Sequence, residues 1–277
     1  MQYDPKLPAD GINTSAEHPL REFALLVAGL IGAVLALIAI AALAVDRLVP
    51  LVPPSLEARW FGGWLTDAAA ASDPRSAPVQ ALLDRVVSHW SDAPYPFRAG
   101  VIDEPDPNAL ALPGGAILVT SGLLDRVGSE NELALVLGHE LGHFRARDHL
   151  RGLGRGLAAQ LVLGALGGSG DLVSGLSAFA GALAQHGFDR RQESQADTFG
   201  LSLVHAEYGH VAGARDLFAH LARSQRDAPA TGRRLASYLD THPLSEDRVA
   251  ALAAEAAAHD WATEGPLTPW VRRPDAE

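Results

Sequence analysis

The sequence contains no cysteine, and this absence excludes several kinds of chemistry. Without a thiol the chain forms no disulfide, no Cys-ligated zinc site and no thiolate nucleophile. Basic residues are also scarce, since 22 Lys and Arg stand against 33 Asp and Glu and give a formal net charge of −11. An excess of negative charge repels phosphate backbones, so we expect no nucleic-acid partner.

Charged residues are missing altogether from residues 23–45, which follow a polar tail of residues 1–22. An apolar run of this length is enough to cross a bilayer as one helix, so we expect a single-pass anchor in contact with membrane lipid. A cleaved signal peptide is the competing interpretation, because Ala42-Leu43-Ala44 has the small-x-small form of a cleavage site. The flanking positive charges are evenly balanced, and they favour neither orientation.

Residues 129–150, SENELALVLGHELGHFRARDHL, carry the strongest pattern in the chain and predict one helix. Ser129 and Glu132 have the spacing of a capping box, which satisfies free amide donors at a helix start. Apolar residues recur at steps of three and four and predict one buried face. They are Leu133, Val136, Leu137, Leu141 and Phe144.

The motif HELGH within this helix indicates a metal site. His139 and His143 are four residues apart, so both imidazoles lie on one face and can share an ion. Glu140 lies about 100° further round the helix, where its carboxylate can take a proton from a water on the metal. A catalytic zinc ion needs a third protein ligand and one open position.

The segment ESQAD supplies a candidate for that third ligand. Glu193 and Asp197 are also four residues apart, on a helix predicted over residues 189–205. We expect Glu193 to complete a site for one zinc ion per chain with the two histidines. We expect the Asp197 carboxylate to accept a hydrogen bond from the free ring N–H of the ligand His139. A pair at this spacing is by itself more typical of a solvated helix face, but the preceding HExxH motif favours the metal site.

HELGH and ESQAD together resemble the gluzincin-type zinc metallopeptidases of the HtpX and CAAX prenyl protease family, in the layout of its BepA- and LoiP-like members. Two further segments agree with this resemblance. Residues 108–115, NALALPGG, followed by AILVTSGLL are similar to the family's strand pair and turn, and Thr241-His242-Pro243 with Arg248 is similar to its late His-Pro element. The resemblance covers residues 79–252. It implies an α+β zincin-like metallopeptidase domain that is mainly α with a small β-sheet.

The resemblance also implies a function, namely hydrolysis of unfolded or misassembled envelope proteins by a zinc endopeptidase. Glu140 is then the catalytic base. His242 lies near the zinc, where it either stabilises the oxyanion or occupies the open coordination position in a closed state. Arg248 holds the His242 loop or adds positive charge. The implied location is a bacterial inner membrane, with the catalytic domain in the periplasm.

Two other functional classes remain open. One is a chaperone or assembly factor whose zinc site is normally closed. The other is a structural zinc protein without turnover, although the presence of Glu140 argues against it because a structural site needs no base. An assay of polypeptide cleavage separates these classes from an endopeptidase.

The predicted layout places these motifs in one domain behind the anchor. It comprises a tail (1–22), a transmembrane helix (23–45), a linker (46–77), the metallopeptidase domain (78–262) and a C-terminal tail (263–277). Within the domain we expect strands at 97–102 and 116–120, and helices at 78–90, 211–225 and 246–259, with two short helices within 152–184. Arg145, Arg147, Arg151 and Arg155 are expected on a solvated helix face or near lipid headgroups, and His149 at the surface or in packing.

Overall fold

A computed structural model describes residues 18–62, 73–167, 189–214, 216–218, 242 and 246–270. Its helices are α1 (Pro19–Leu48), α2 (Pro54–Phe61), α3 (Ser76–Ser88), α4 (Ser121–Leu124), α5 (Glu130–Ala146), α6 (Asp148–Gly167), α7 (Arg190–Tyr208) and α8 (Glu246–Ala258). The strands are β1 (Arg98–Ile102), β2 (Ala109–Leu112) and β3 (Ala116–Thr120), and a 3-10 turn covers Val49–Leu51. A mainly helical domain with one small sheet confirms the predicted fold class.

The sheet has the strand order β1-β3-β2, with β3 in the centre. β1 runs parallel to β3, and β2 runs antiparallel to it. The turn between β2 and β3 contains Gly114 and Gly115 at φ of 91° and 86°, a left-handed conformation that glycine adopts without a steric penalty. The pattern alone did not predict β2, because its four residues are too few to show alternation. α3 packs on β1, and α5 packs beside the edge strand β2.

α5 begins as the sequence predicts but ends earlier. The Ser129 hydroxyl accepts a hydrogen bond from the Glu132 amide at 3.3 Å, and the Glu132 carboxylate accepts from Gly128 N–H at 3.0 Å. Arg147 then has a φ of 59°, in the left-handed region, and ends the helix. The prediction of one helix over residues 129–150 is therefore wrong, since Asp148 starts a separate helix.

α5 is also more deeply buried than a one-sided pattern suggests. Every residue from 131 to 144 is buried. The reason is that α3, β2 and α7 all pack against this helix, so it lies in the core and not at its surface. The prediction of a single buried face is corrected accordingly.

Small residues bring α5 and α7 into close contact. A Cβ atom added to Gly138 would lie 2.9 Å from the Gly200 Cα, and one added to Gly142 would lie 2.6 Å from the Ala196 Cα. Real Cβ atoms do not approach a backbone atom so closely, so no larger residue fits without separating the helices. This approach places the HELGH face against the helix that carries ESQAD.

α1 is a long apolar helix, and the prediction of one such helix near the N-terminus is confirmed. The candidate span Pro19–Leu51 contains an 18-residue window with a mean hydropathy of 2.9, and most of its large apolar side chains are exposed. α6 packs along α1, where Gly154 lies against Val45 and Arg155 pairs with Asp46 at 2.7 Å. The prediction of two short helices within 152–184 is wrong for residues 152–167, which belong to the single helix α6. Residues 168–184 lie outside the described residues.

Both ends of the domain are more ordered than the sequence suggests. The predicted linker contains the 3-10 turn and α2. In the predicted C-terminal tail, Thr268 accepts a hydrogen bond from Glu130 N–H at 2.8 Å, and Trp270 is only 9% exposed. α8 matches the predicted last helix, whereas the helix predicted at 211–225 lies partly outside the described residues.

Candidate metal centre

Four buried side chains converge between α5 and α7. His139 and His143 come from α5, Glu193 comes from the first turn of α7, and His242 precedes α8. One ligand atom from each lies within 4.8 Å of all the others. Sequence analysis expected the first three to bind zinc and left two roles open for His242, and the structure places it among the ligand atoms.

The geometry of this cluster fits a zinc ion. His139 Nε2 lies 3.1 Å from His143 Nε2 and 3.0 Å from His242 Nδ1, and the latter lies 3.0 Å from Glu193 Oε1. Zinc bonds of about 2.0–2.1 Å arranged tetrahedrally separate the ligand atoms by about 3.3 Å. Three ring nitrogens and a carboxylate oxygen are also the donor types that zinc prefers.

Protonation supports the same conclusion. His139 and His143 each hydrogen-bond through Nδ1 to a carboxylate, and a carboxylate only accepts, so the ring proton lies on Nδ1. When both rings are neutral, each Nε2 atom carries a lone pair, and the two lone pairs face each other across 3.1 Å. Such lone pairs repel one another unless a cation lies between them. The residues present therefore fit a zinc ion.

On the His139 side, two charged residues hold the ligand. His139 Nδ1 donates to Asp197 Oδ1 at 2.9 Å, which is the contact that the sequence spacing suggested. Arg248 forms a bidentate pair with Asp197, with both N–O distances at 2.8 Å. The same guanidinium reaches Glu193 Oε2 at 2.7 Å and the His242 carbonyl at 3.2 Å. Arg248 thus connects Glu193 and Asp197 of α7 with the segment that carries His242.

On the His143 side, the structure adds a residue that sequence analysis missed. Asp148 Oδ2 accepts from His143 Nδ1 at 3.1 Å, and its Oδ1 accepts from Gln192 Nε2 at 2.6 Å. Asp148 is 1% exposed. On a continuous helix a residue five positions after His143 points away from it, so the expected helix concealed this contact. The carboxylate reaches the ring because the chain turns at Arg147.

Glu140 lies beside the ligands and not among them. Its carboxylate is 1% exposed, lies close to the backbone of Ala111 in β2, and has Oε1 3.5 Å from His242 Nε2. Burial raises the pKa of Glu140 to about 7, although the nearby histidines oppose the shift. A carboxylate with this pKa can both accept and return a proton near neutral pH.

Three of the other four ionisable groups in the cluster favour the form that binds a metal, and His143 is the exception. Burial opposes ionisation of Glu193, but its histidine neighbours hold the pKa of this carboxyl well below its usual range. Burial lowers the pKa of His139 and of His242. For His143, hydrogen bonds to Asp148 and Glu193 outweigh burial and raise the pKa to about 9. A histidine ligand binds in its unprotonated form, so a metal ion displaces that proton when it binds.

Comparison with known proteins agrees with this geometry. The model described as Peptidase family M48 matches residues 74–256. This chain belongs to peptidase family M48. The family predicted from HELGH and ESQAD is thereby confirmed, and the matched residues include every member of the cluster in this M48 chain.

Curated relatives of the M48 chain lie in bacteria and in mitochondria. It is 30% identical over 179 residues to "Mitochondrial metalloendopeptidase OMA1" of Schizosaccharomyces pombe, which covers 64% of this chain and 51% of the relative. It is 32% identical over 148 residues to "Metalloprotease LoiP" of Escherichia coli, covering 52% and 56%. A "Protease HtpX homolog" of Desulfatibacillum aliphaticivorans is 30% identical over 251 residues, covering 75% and 80%. The chain thus spans about half the length of the first two.

We predict that Asp197→Asn weakens zinc binding in the M48 chain by about 10- to 100-fold, because the amide no longer holds the His139 proton on Nδ1 as a carboxylate does. Competition with a chromophoric chelator measures the affinity. Asp84→Asn serves as the matched control, since Asp84 is exposed on α3 and bonds only to Gln80 among the contacts described. Equal zinc affinity in Asp197→Asn and in the control contradicts the assignment.

Proposed function

We propose that this chain is a zinc-dependent endopeptidase that hydrolyses peptide bonds, with His139, His143 and Glu193 as zinc ligands. The observation that carries the proposal is the position of Glu140, a buried carboxylate directly beside a histidine and glutamate cluster with zinc-ligand spacing. A structural zinc site has no use for such a base. Family membership supports the same activity.

The residues divide the work of hydrolysis among them. Bound zinc supplies a Lewis acid that activates water and polarises the scissile carbonyl. Glu140 takes the proton from the attacking water and later delivers it to the leaving amine, for which its pKa near 7 is suited. Asp197 and Asp148 keep the two histidine rings in the orientation and tautomer that ligation needs.

The edge strand β2 offers a place for an extended peptide. Within the described sheet β2 pairs with β3 alone, and Ala111 at its centre contacts Glu140. A peptide added along this edge gains main-chain hydrogen bonds whatever its side chains are. Such binding favours extended, unfolded segments, so we propose unfolded or misassembled envelope proteins as the substrates. This makes the chain a quality-control enzyme.

Replacement of Glu140 tests the chemistry. We expect Glu140→Gln to lower cleavage of unfolded casein by about 100-fold or more, because the amide cannot accept the proton of the attacking water. Zinc content and the far-UV circular dichroism spectrum should match those of the wild type, since Glu140 is not a ligand. Glu104→Gln, an exposed carboxylate outside the cluster, is the control and should cleave normally. Full activity in Glu140→Gln disproves the mechanism.

We further propose that the resting enzyme is closed by His242. Its Nδ1 lies 3.0 Å from both His139 Nε2 and Glu193 Oε1, so it supplies a fourth ligand where a catalytic site leaves a position for water. Its Nε2 points to Glu140 Oε1 at 3.5 Å and covers the base as well. One imidazole thereby blocks the two groups that hydrolysis requires. An assembly-factor function with a rarely open site is the second candidate that this arrangement favours.

Removal of this imidazole distinguishes closure from oxyanion stabilisation. We expect His242→Ala to raise the basal rate of casein cleavage, because it frees the coordination position that water needs. The rise should vanish when Glu140→Gln is added. His259→Ala is the control, since His259 is 52% exposed and remote from the cluster. A lower rate in His242→Ala means instead that His242 stabilises the transition state.

We propose that α1 anchors the enzyme in a bacterial inner membrane with the catalytic domain in the periplasm. Most large apolar side chains of α1 are exposed, which suits contact with lipid. The C-terminal half of α6, which packs along α1, also exposes Leu161 and Leu163.

Fractionation of cells expressing the full chain tests the anchor. We expect the protein to stay in the membrane pellet after alkaline carbonate extraction, with a mass that includes residues 23–45, because a transmembrane helix resists such extraction. External protease should digest the catalytic domain in spheroplasts but not in intact cells. Release into the soluble fraction with loss of the N-terminal mass establishes a cleaved signal peptide, and protection in spheroplasts reverses the orientation.

A further inference from the structure

Glu57 is a charged residue buried in α2, outside the metal centre. Its side chain is 0% exposed, which is unusual for a carboxylate unless several partners compensate the charge. Oε1 accepts hydrogen bonds from His149 Nε2 at 2.8 Å and from Gly114 N–H at 2.9 Å, and Oε2 pairs with Arg147 at 3.0 Å. Although burial opposes ionisation, these partners hold the pKa of Glu57 below its usual value. The residue is a buried carboxylate anion.

Two of these partners flank a residue of the metal centre. Arg147 and His149 stand immediately before and after Asp148, whose carboxylate orients His143. Glu57 therefore bonds to the residues on both sides of Asp148, in the short junction between α5 and α6. The expectation that Arg147 lies on a solvated face or near lipid headgroups is wrong, since its side chain is only 17% exposed and pairs with Glu57. His149, expected at the surface or in packing, is fully buried.

The junction needs such support because its backbone is strained. Arg147 adopts a left-handed conformation, which is sterically unfavourable for a residue with a Cβ atom. Its guanidinium bonds to the Glu57 carboxylate and also donates to the Val52 carbonyl in the segment before α2. His149 Nδ1 has no hydrogen-bond partner among the described residues, so its Nε2 bond to Glu57 is the polar contact that orients the ring. These contacts hold the turn that lets Asp148 reach back to His143.

We propose that Glu57 is a positioning residue for the metal centre, acting through the Arg147-Asp148-His149 junction on the ligand His143. The proposal rests on the zinc site proposed above. It extends the support of His143 beyond Asp148 to a residue 90 positions before Arg147, in the helix that directly follows the anchor. The affinity for zinc therefore depends on how α2 packs against the domain.

The turn between β2 and β3 is held by the same carboxylate. Gly114 N–H bonds to Glu57, and a Cβ at Gly114 would lie 3.0 Å from the backbone of Phe61 and of Gly62. This turn directly follows the strand β2, which lies beside Glu140. Glu57 consequently contacts the ends of two elements that border the metal centre, the helix α5 and the edge strand β2.

The test measures zinc release from the purified full chain in detergent, with transfer of zinc to an excess of chromophoric chelator followed by absorbance. We expect Glu57→Ala to release zinc about 10-fold faster than the wild type, in the range typical of residues that support metal ligands. Glu57→Gln keeps the shape and an acceptor oxygen, so its rate should lie between the wild type and Glu57→Ala. If circular dichroism shows that Glu57→Ala does not fold, Glu57→Gln alone is compared with the wild type. It should then release zinc faster than the wild type does.

Glu207→Gln is the matched control. Glu207 also pairs with one arginine and one histidine, Arg85 and His89, but at the far end of α7 from the ligand Glu193. It should lose a similar ion pair without any change in zinc release. Glu57 variants that release zinc within about twofold of the wild type overturn the proposal, because residues that support ligands change binding by at least about 10-fold.

A double-mutant cycle with Asp148→Asn tests the route. If Glu57 acts through Asp148, adding Glu57→Ala to Asp148→Asn changes the rate of zinc release little. The reason is that Asp148→Asn has already removed the contact with His143 that Glu57 positions. Additive effects overturn the route and leave Glu57 as a general stabiliser. A wild-type chain that binds no zinc refutes the zinc site itself, whereas a zinc-binding wild type with unaffected Glu57 variants refutes only the coupling.

Discussion

The close packing of α5 against α7 is the constraint on which the metal centre depends. His139 and His143 lie on one helix and Glu193 on the other, so a common ion requires the two backbones to approach closely. Gly138 against Gly200 and Gly142 against Ala196 permit that approach. Because Gly138 and Gly142 directly precede the two histidines, the closest contact and the ligands occupy the same turn of the helix.

Burial of this centre creates an electrostatic demand that the surrounding residues meet. Glu193, Asp197 and Asp148 place three carboxylates in the interior, where unpaired charges are costly. Arg248 compensates two of them, and the imidazole N–H groups donate to Asp197 and Asp148. Each charge that orients a ligand is in turn held by another group, so the ring positions follow from a chain of contacts and not from the helix alone.

Two connections extend from the centre in opposite directions along the chain. His242, held through its carbonyl by Arg248, brings the segment before α8 onto the ligand atoms and gives a closed arrangement. Glu57 brings α2, next to the anchor, onto the end of α5. In the proposed mechanism, the first connection controls access to the centre, and the second fixes its shape. Both arise from buried polar groups that have found partners far away in the sequence.

The sequence by itself determined what depends on local geometry. A helix puts residues four apart on one face, so HELGH and ESQAD placed His139 with His143 and Glu193 with Asp197 before any coordinates were considered. The apolar run at the N-terminus and the start of α5 at Ser129 followed from composition and capping, and the family followed from the motifs.

Only the tertiary structure decided the contacts that join distant segments. The left-handed turn at Arg147 has no local signal, because the residue favours a helix and is held out of it by Glu57 and Val52. Asp148 and Glu57 were therefore invisible as parts of the site. His242 was placed near the zinc only by the resemblance to the family, since its spacing from HELGH is too long for any periodic rule, and packing alone brings it to the metal ligands.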